Sequence, residues 1–277
     1  MEQETKQGPP KAAPNVDPSG VQLFRKPVGE VEIDLPCGLL IDGEVYKKAV
    51  ITPLTGRDRK AMVDQKSRSN PSKVVTKLLT NRLLSLGPYK HPVADVRIKA
   101  LLSGDREYIV YKLYEITDPT RKDLEATLQC QNRACGSNFE FNVPFDEVKV
   151  IRMTDADQER IHDGKKTRYW EFEDEEWAVK AKFRYVDGKI QEQVSPRLAS
   201  NPVEGEYMLF SKMILEWNGL TSLTMDQIET LPEPLIRKVE KALADHKLGP
   251  DMDLNIVCPE CGVATRGGLD FTTFLFR

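Results

Sequence analysis

The chain has 277 residues, 40% of them hydrophobic and 30% charged, which is enough apolar material to bury a core as one elaborated domain or as two. Its 40 basic and 43 acidic residues nearly cancel, and with no basic excess or basic stripe, nucleic acid is disfavoured as the main ligand. No apolar run approaches the roughly 18–20 residues of a membrane span, and no apolar segment near the N-terminus marks secretion, so a soluble protein in a reducing compartment is expected.

Residues 1–30 are rich in proline and polar side chains and read as a disordered or extended arm. Ordered sequence begins at Val31, and Asp42-Gly43 between two apolar runs predicts a β-hairpin. Thr55 or Gly56 caps a helix over 57–66, and Asn70-Pro71 has the N-cap and first-turn proline arrangement of a second. Val74, Val75, Leu78, Leu79 and Leu83 carry that helix to a stop at Gly87-Pro88. A third helix runs through Val93, Val96, Ile98, Leu101 and Leu102 and ends at Ser103-Gly104. Asp105 then caps a fourth, whose Ile109, Leu113 and Ile116 share a face with Tyr108 and Tyr111, a stripe expected to pack as core, and Asp118-Pro119 ends it.

Residues 155–166 are polar and turn-like. Arg168–Phe172 and Trp177–Val186 alternate as two strands turning at Asp187-Gly188, and the carboxylates of 171–176 between them read as a solvated loop. Helical periodicity resumes over Met208–Trp217. Thr224 caps a short helix over 225–231, and Pro234 opens another over 235–247, with Ile236, Val239, Leu243 and His246 on one face. His91, His162 and His246 match no ligand spacing and are expected to be structural or surface residues.

Five cysteines remain to be placed. Cys130 and Cys135 form one pair and Cys258 and Cys261 a second, each closed by a glycine, Gly136 and Gly262, that lets the backbone turn back with φ > 0. Strand-like sequence flanks both pairs, so each reads as a strand, a knuckle and a return strand. Four thiolates on two such loops suit tetrahedral zinc, and four cysteines leave no open position for catalysis. Redox chemistry of the thioredoxin type needs a βαβ setting, which strand-like sequence after Cys261 does not provide, and disulfides fit poorly with a reducing compartment. The two pairs lie about 120 residues apart, and closing a loop that long costs on the order of 4 kcal/mol. A structural zinc site returns roughly 10–16 kcal/mol, so one zinc ion is expected to act as a fold clamp. Cys37, in an apolar stretch, reads as a buried small hydrophobe.

The expected class is therefore α+β: a helical body with β-hairpins and a split four-cysteine zinc ribbon joining mid-chain to C-terminus. The expected divisions are an arm over 1–30, a hairpin, helices and first knuckle over 31–150, and a strand-rich insert, helices and second knuckle over 151–277.

In order and in local motif, the chain resembles the baseplate-hub and tail-assembly chaperone family of contractile-tailed bacteriophages, the family of the T-even phage baseplate hub component. The resemblance rests on Leu54-Thr-Gly-Arg-Asp58, on Leu101-Leu-Ser-Gly-Asp-Arg106 before an apolar helix, on the first knuckle after it, and on Leu231-Pro-Glu-Pro followed by a helix. Its most specific part is Asp253-Leu-Asn-Ile-Val-Cys258-Pro-Glu-Cys261-Gly262 with a short aromatic tail. The chain departs from the family in the four residues inside its first knuckle, where two are usual, and in the charge of 151–200. The resemblance implies a non-enzymatic structural or assembly component of a contractile tail or phage-like injection machine. Its partners would be other baseplate hub, wedge or tape-measure proteins, with no membrane. The implied locations are the host or bacterial cytoplasm during assembly and the virion baseplate. Phe271, Phe274, Leu275 and Phe276 are candidate partner-binding residues, although strand alternation would bury one face of that segment in the ribbon. A zinc-ribbon nucleic-acid-binding protein is the alternative, suggested by Arg133, Arg266 and Arg277 near the knuckles and opposed by the balanced charge.

Overall fold

The computed structural model describes residues 29–63, 69–164 and 166–268. Nearly all of the N-terminal arm, the end of the helix expected over 57–66, and Phe271, Phe274, Leu275 and Phe276 lie outside them.

The first hairpin forms as its turn residues require. β1 (Val31–Ile41) and β2 (Glu44–Ile51) pair antiparallel around Asp42 and Gly43, both at positive φ (49° and 91°), the backbone that a two-residue hairpin turn of this hand needs. Next come α1 (Gly56–Val63) and α2 (Pro71–Arg82), where Asn70 caps by accepting from Lys73 N. That second helix stops earlier than its apolar spacing suggested. Leu83–Leu86 forms β3, which pairs with β2 and with the short β4 (Tyr89–Lys90) to make a sheet in the order β1-β2-β3-β4.

The expected third helix is only α3 (Asp95–Ala100), and Ser103-Gly104 opens α4 (Ser103–Thr117) rather than closing the element before it. Gly104 serves close packing: a Cβ there would lie 2.6 Å from the carbonyl carbon of Leu248 and 2.9 Å from Gly249 N. Asp105 is not the cap, which is Leu102. Its carboxylate is fully buried and accepts from Cys37 N (2.8 Å) and Gly38 N (3.3 Å), where β1 loses register with β2. Tyr108 and Tyr111 are buried as expected, and the Tyr111 hydroxyl donates to Phe145 O.

After α4 come the hairpin β5 (Asp123–Gln129) and β6 (Asn138–Pro144), a short 3-10 turn, β7 (Val150–Ile151), α5 (Asp155–Glu159) and β8 (Ile161–His162). β9 (Thr167–Asp174) and β10 (Val179–Arg184) form the next hairpin, and their alternate residues Arg168, Trp170, Val179, Ala181 and Phe183 are buried. The chain reverses at 175–178 rather than at Asp187-Gly188. Asp187 caps α6 (Gly188–Ser200) by accepting from Ile190 N at 2.8 Å. Glu171, Glu173 and Asp174 of the acidic run therefore belong to β9. Lys238 Nζ meets two of its carboxylates, Asp174 at 2.7 Å and Glu176 at 2.6 Å.

The helix expected over 208–217 is α7 (Pro202–Met213) followed by a strand, β11 (Ile214–Trp217), which completes a second sheet in the order β11-β10-β9-β8. α8 (Met225–Glu229) has the capping box of Thr224 and Gln227, and α9 (Glu233–Asp245) follows. The chain ends its described part with β12 (Gly249–Pro250), paired to β7, and the hairpin β13 (Asp253–Val257) and β14 (Ala264–Gly268).

Two large cores result. One packs β1–β3 against α2 and α4, with Phe145, Val148 and Met252 closing its end. The other packs β9–β11 against α7, α8 and α9, and there Trp170 stacks between Phe183 (4.7 Å) and His246 (4.2 Å). His91 and His246 each contact a backbone carbonyl through Nδ1, of Leu83 and of Ala242, and His162 contacts Asp163 at 2.7 Å. Cys37, fully buried, belongs to the second core although β1 belongs to the first. Arg168 reaches the same bulge from the far side, donating to Cys37 O (2.8 Å) and Gly38 O (2.7 Å).

Candidate metal centre

Each knuckle is built by its own hairpin. In the first, Cys130 N donates to Ser137 O (2.8 Å), and Cys135 N and Gly136 N both donate to Asn132 O (2.9 Å). In the second, Cys258 N donates to Val263 O (3.0 Å) and Gly262 N to Cys258 O (2.9 Å). The bond from the first cysteine to the residue after the glycine is thus the same in both. Gly136 (φ 59°) and Gly262 (φ 71°) sit in the left-handed region, as the spacing predicted.

The two hairpins stack so closely that a Cβ on Gly267 would lie 2.3 Å from a Leu128 methyl carbon. Phe139, Cys130 and Cys258 form a small buried core between them, flanked by Leu128, Phe141 and Ile256. At its end Cys130, Cys135, Cys258 and Cys261 come together with all four sulfurs within 4.8 Å of one another. The Cys130–Cys261 separation is 3.6 Å and the Cys135–Cys258 separation 4.0 Å. Zinc–sulfur bonds of about 2.3 Å in a tetrahedron require sulfurs about 3.8 Å apart, whereas a disulfide would need about 2.05 Å. The donor set, its spacing and its closure on all four sides therefore fit a structural metal ion.

The electrostatics agree with four thiols held in one small volume. Cys258 is pulled down to about 6, first by the Ser137 hydroxyl and then, against burial, by the backbone N–H groups of Cys261 and Glu260. Cys135 is also lowered, by the Ser137 side chain and its N–H. At Cys261 the Val263 N–H pulls downward, but burial and the neighbouring thiols of Cys130 and Cys135 outweigh it and leave the group at about 11. A bound dication would remove this competition by letting all four ionise.

Three polar side chains in contact with sulfur escaped the reading of the sequence. Ser137 Oγ lies 3.1 Å from Cys135 Sγ and 3.5 Å from Cys258 Sγ, Asn132 Nδ2 lies 3.7 Å from Cys261 Sγ, and Thr265 Oγ1 lies 3.8 Å from Cys130 Sγ. The usable signal was position: two of them are inside or just past the first knuckle, and Thr265 alternates with Gly267 on the face of β14 turned to β5. The acidic run at 171–176 and the three histidines contribute nothing to the centre.

A family model described as T4 bacteriophage base plate protein matches residues 42–271, which takes in both knuckles. No curated protein and no solved structure matches the chain.

Proposed function

We propose that this chain, which belongs to the family of T4 bacteriophage base plate proteins, serves a contractile tail as a docking part whose split ribbon is clamped by one zinc ion. Family membership and the four-cysteine cluster support a structural or assembly role without chemistry of its own. The observation that carries the clamp is the approach of four sulfurs from two distant hairpins to within 4.8 Å. Zinc is the metal of choice because an all-thiolate tetrahedral set suits it and leaves no position for substrate.

The partners on this reading are other baseplate proteins, of the hub, wedge or tape-measure kind, met in the bacterial cytoplasm as the tail assembles. No helix among the described residues is long and apolar enough to cross a membrane. The two large cores support a division of the body near residue 150, into 31–150 and 151–277, with the ribbon drawing one hairpin from each. Phe271, Phe274, Leu275 and Phe276 follow directly on β14 and supply the apolar side chains for a docking contact.

Native mass spectrometry of the full chain tests the clamp, with one zinc per chain expected. Co-purification with tail proteins from an assembling system tests the docking. Deleting 270–277 should weaken that association while zinc content stays at one. Undiminished association would remove the tail segment from the reading, and a wild-type chain whose ribbon is closed without metal would remove the clamp.

A further inference from the structure

We infer that Asn132, Ser137 and Thr265 form a second shell that crosses between the two hairpins and sets how slowly the metal leaves. The inference rests on the metal reading above. Four thiolates around a dication carry a net charge of about −2, and in a partly buried site that charge needs hydrogen-bond donors. Asn132 and Thr265 each supply one to a cysteine of the opposite hairpin, Cys261 and Cys130, and the single hydroxyl proton of Ser137 sits between Cys135 of its own hairpin (3.1 Å) and Cys258 of the other (3.5 Å).

Thr265 makes the case most simply. It is 0% exposed, and a buried hydroxyl is a costly group unless it has a partner. Valine would fill nearly the same volume at that strand position, so packing alone does not call for the oxygen. The sulfur of Cys130, itself buried, is the acceptor it faces.

Asn132 accounts for the wider first knuckle. Its carbonyl accepts from Cys135 N and Gly136 N, and its Oδ1 accepts from Ala134 N at 3.1 Å, so the four residues between the cysteines become one turn around it. That leaves its amide nitrogen directed at Cys261 on the other hairpin. One residue thus holds the long loop in shape, through its backbone carbonyl and its Oδ1, and ties it across the joint through its amide nitrogen. Ser137 occupies the position that Val263 occupies in the second knuckle, and only there does the residue after the glycine offer a hydroxyl to sulfur.

The test uses full-length protein loaded with zinc, then separately with cobalt. Zinc transfer to a chromophoric chelator is timed for wild type, Thr265→Val, Ser137→Ala and Asn132→Asp, the last keeping the oxygen acceptor for Ala134 N. Release about 10–100-fold faster than wild type is expected, the range typical of lost outer-shell partners. Sulfur-to-cobalt charge-transfer bands should move to lower energy, a change that a merely structural role would not produce. Thr265→Val has nearly the shape of the native residue and carries the test should Asn132→Asp open the knuckle. Wild-type release and unmoved bands in a metal-loaded Thr265→Val protein would overturn the second shell and leave the clamp standing. A wild-type chain that takes up neither metal would overturn both.

Discussion

Removing the metal, by chelation or by Cys258→Ser, is expected to open the ribbon and leave the body folded. The ribbon's own core consists of Phe139, Cys130 and Cys258, with Leu128, Phe141 and Ile256 half-buried around it. At about 1.5–3 kcal/mol for a fully buried large side chain, and less for the half-buried ones, this cluster supplies on the order of 5 kcal/mol. Against it stands the conformational entropy of ordering four short strands and two knuckles, and two-stranded hairpins in water are marginal at best. A structural zinc site adds about 10 kcal/mol or more, so the metal decides whether this module is closed. The body has two far larger cores of its own and needs no such help. Hydrogen exchange read by mass spectrometry separates the cases. Protection should fall in 123–144 and 253–268 and persist in 31–51 and 103–117. Uniform loss of protection along the chain, or a ribbon as protected without metal as with it, would refute this account.

Gly188→Ala is expected to destabilise by about 1–3 kcal/mol as an overpacking change, read as a lower urea midpoint with unchanged slope. The new Cβ would sit 2.5 Å from Arg106 Nη1, and that buried guanidinium is held by Gln191 Oε1 (2.8 Å) and Ser72 O (2.9 Å), so it has nowhere to go. Asp105→Ala should cost on the order of 2–5 kcal/mol, because Cys37 N and Gly38 N lose their buried acceptor; an unchanged midpoint would count against the bulge as a joint between the cores. Burial raises the Asp105 carboxyl, against the pull of the Cys37 N–H and of Arg168. With its folded pKa above the unfolded one, this group's contribution is most favourable at acid pH and declines as pH rises through that window. Wild type should therefore lose ground to Asp105→Asn from pH 4 upward, measured as the difference in midpoint. Asp174 is shifted the other way, lowered chiefly by its hydrogen bond from Lys238. Its contribution is present above the ordinary carboxylate range and is lost as pH falls through its depressed value. Lys238→Ala should move the Asp174 titration upward in an NMR experiment, and an unmoved titration would show that the pair does not form in solution.

Much of the local structure was legible because it answers to local chemistry. Asp42-Gly43 turns a hairpin since both residues tolerate positive φ, Asn70 and Thr224 cap helices with their own side chains, and the glycines after Cys135 and Cys261 close the knuckles. The misreadings share a physical cause, tertiary contact overriding a local signal. Gly104 looked like a helix stop and Gly188 like part of a strand turn, yet both lie in first helical turns and are small because a Cβ would come within 3 Å of Leu248 and Gly249, in one case, and of Arg106, in the other. Leu83–Leu86 and Ile214–Trp217 continued a helical spacing but became strands because each adds to an existing sheet edge. Asp105, Arg106 and Arg168 are charged and would by type be expected at the surface; they are buried because backbone groups from distant elements satisfy them. The four-cysteine cluster could be read from spacing, whereas the side chains above its sulfurs depend on how two hairpins stack, which spacing does not encode.

The structure also changes what a bound metal would have to accomplish. Read along the chain, a zinc ion would close a loop between Cys135 and Cys258, which are 123 positions apart. In space most of that closure is done by the body. β7 pairs with β12 through Ile151 with Gly249 and Val150 with Pro250, and Asp251 N donates to Lys149 O at 2.7 Å. β6 ends six residues before β7 begins, and β13 starts three residues after β12 ends, so this two-stranded clasp delivers both hairpins to the same place. Gly104 and Gly249 meet backbone to backbone beneath it, which seats the clasp on α4. The segment Leu101–Arg106 is accordingly a junction: Gly104 meets the clasp, Asp105 grips the β1 bulge, and Arg106 fixes α2 and α6. The loop-closure cost of about 4 kcal/mol falls on these contacts as the body folds, and an ion would then act on half-sites already facing each other. Metal affinity should therefore respond to the clasp as well as to the cysteines, since a substitution that loosens Gly104 against Gly249 returns part of that closure cost to the ion.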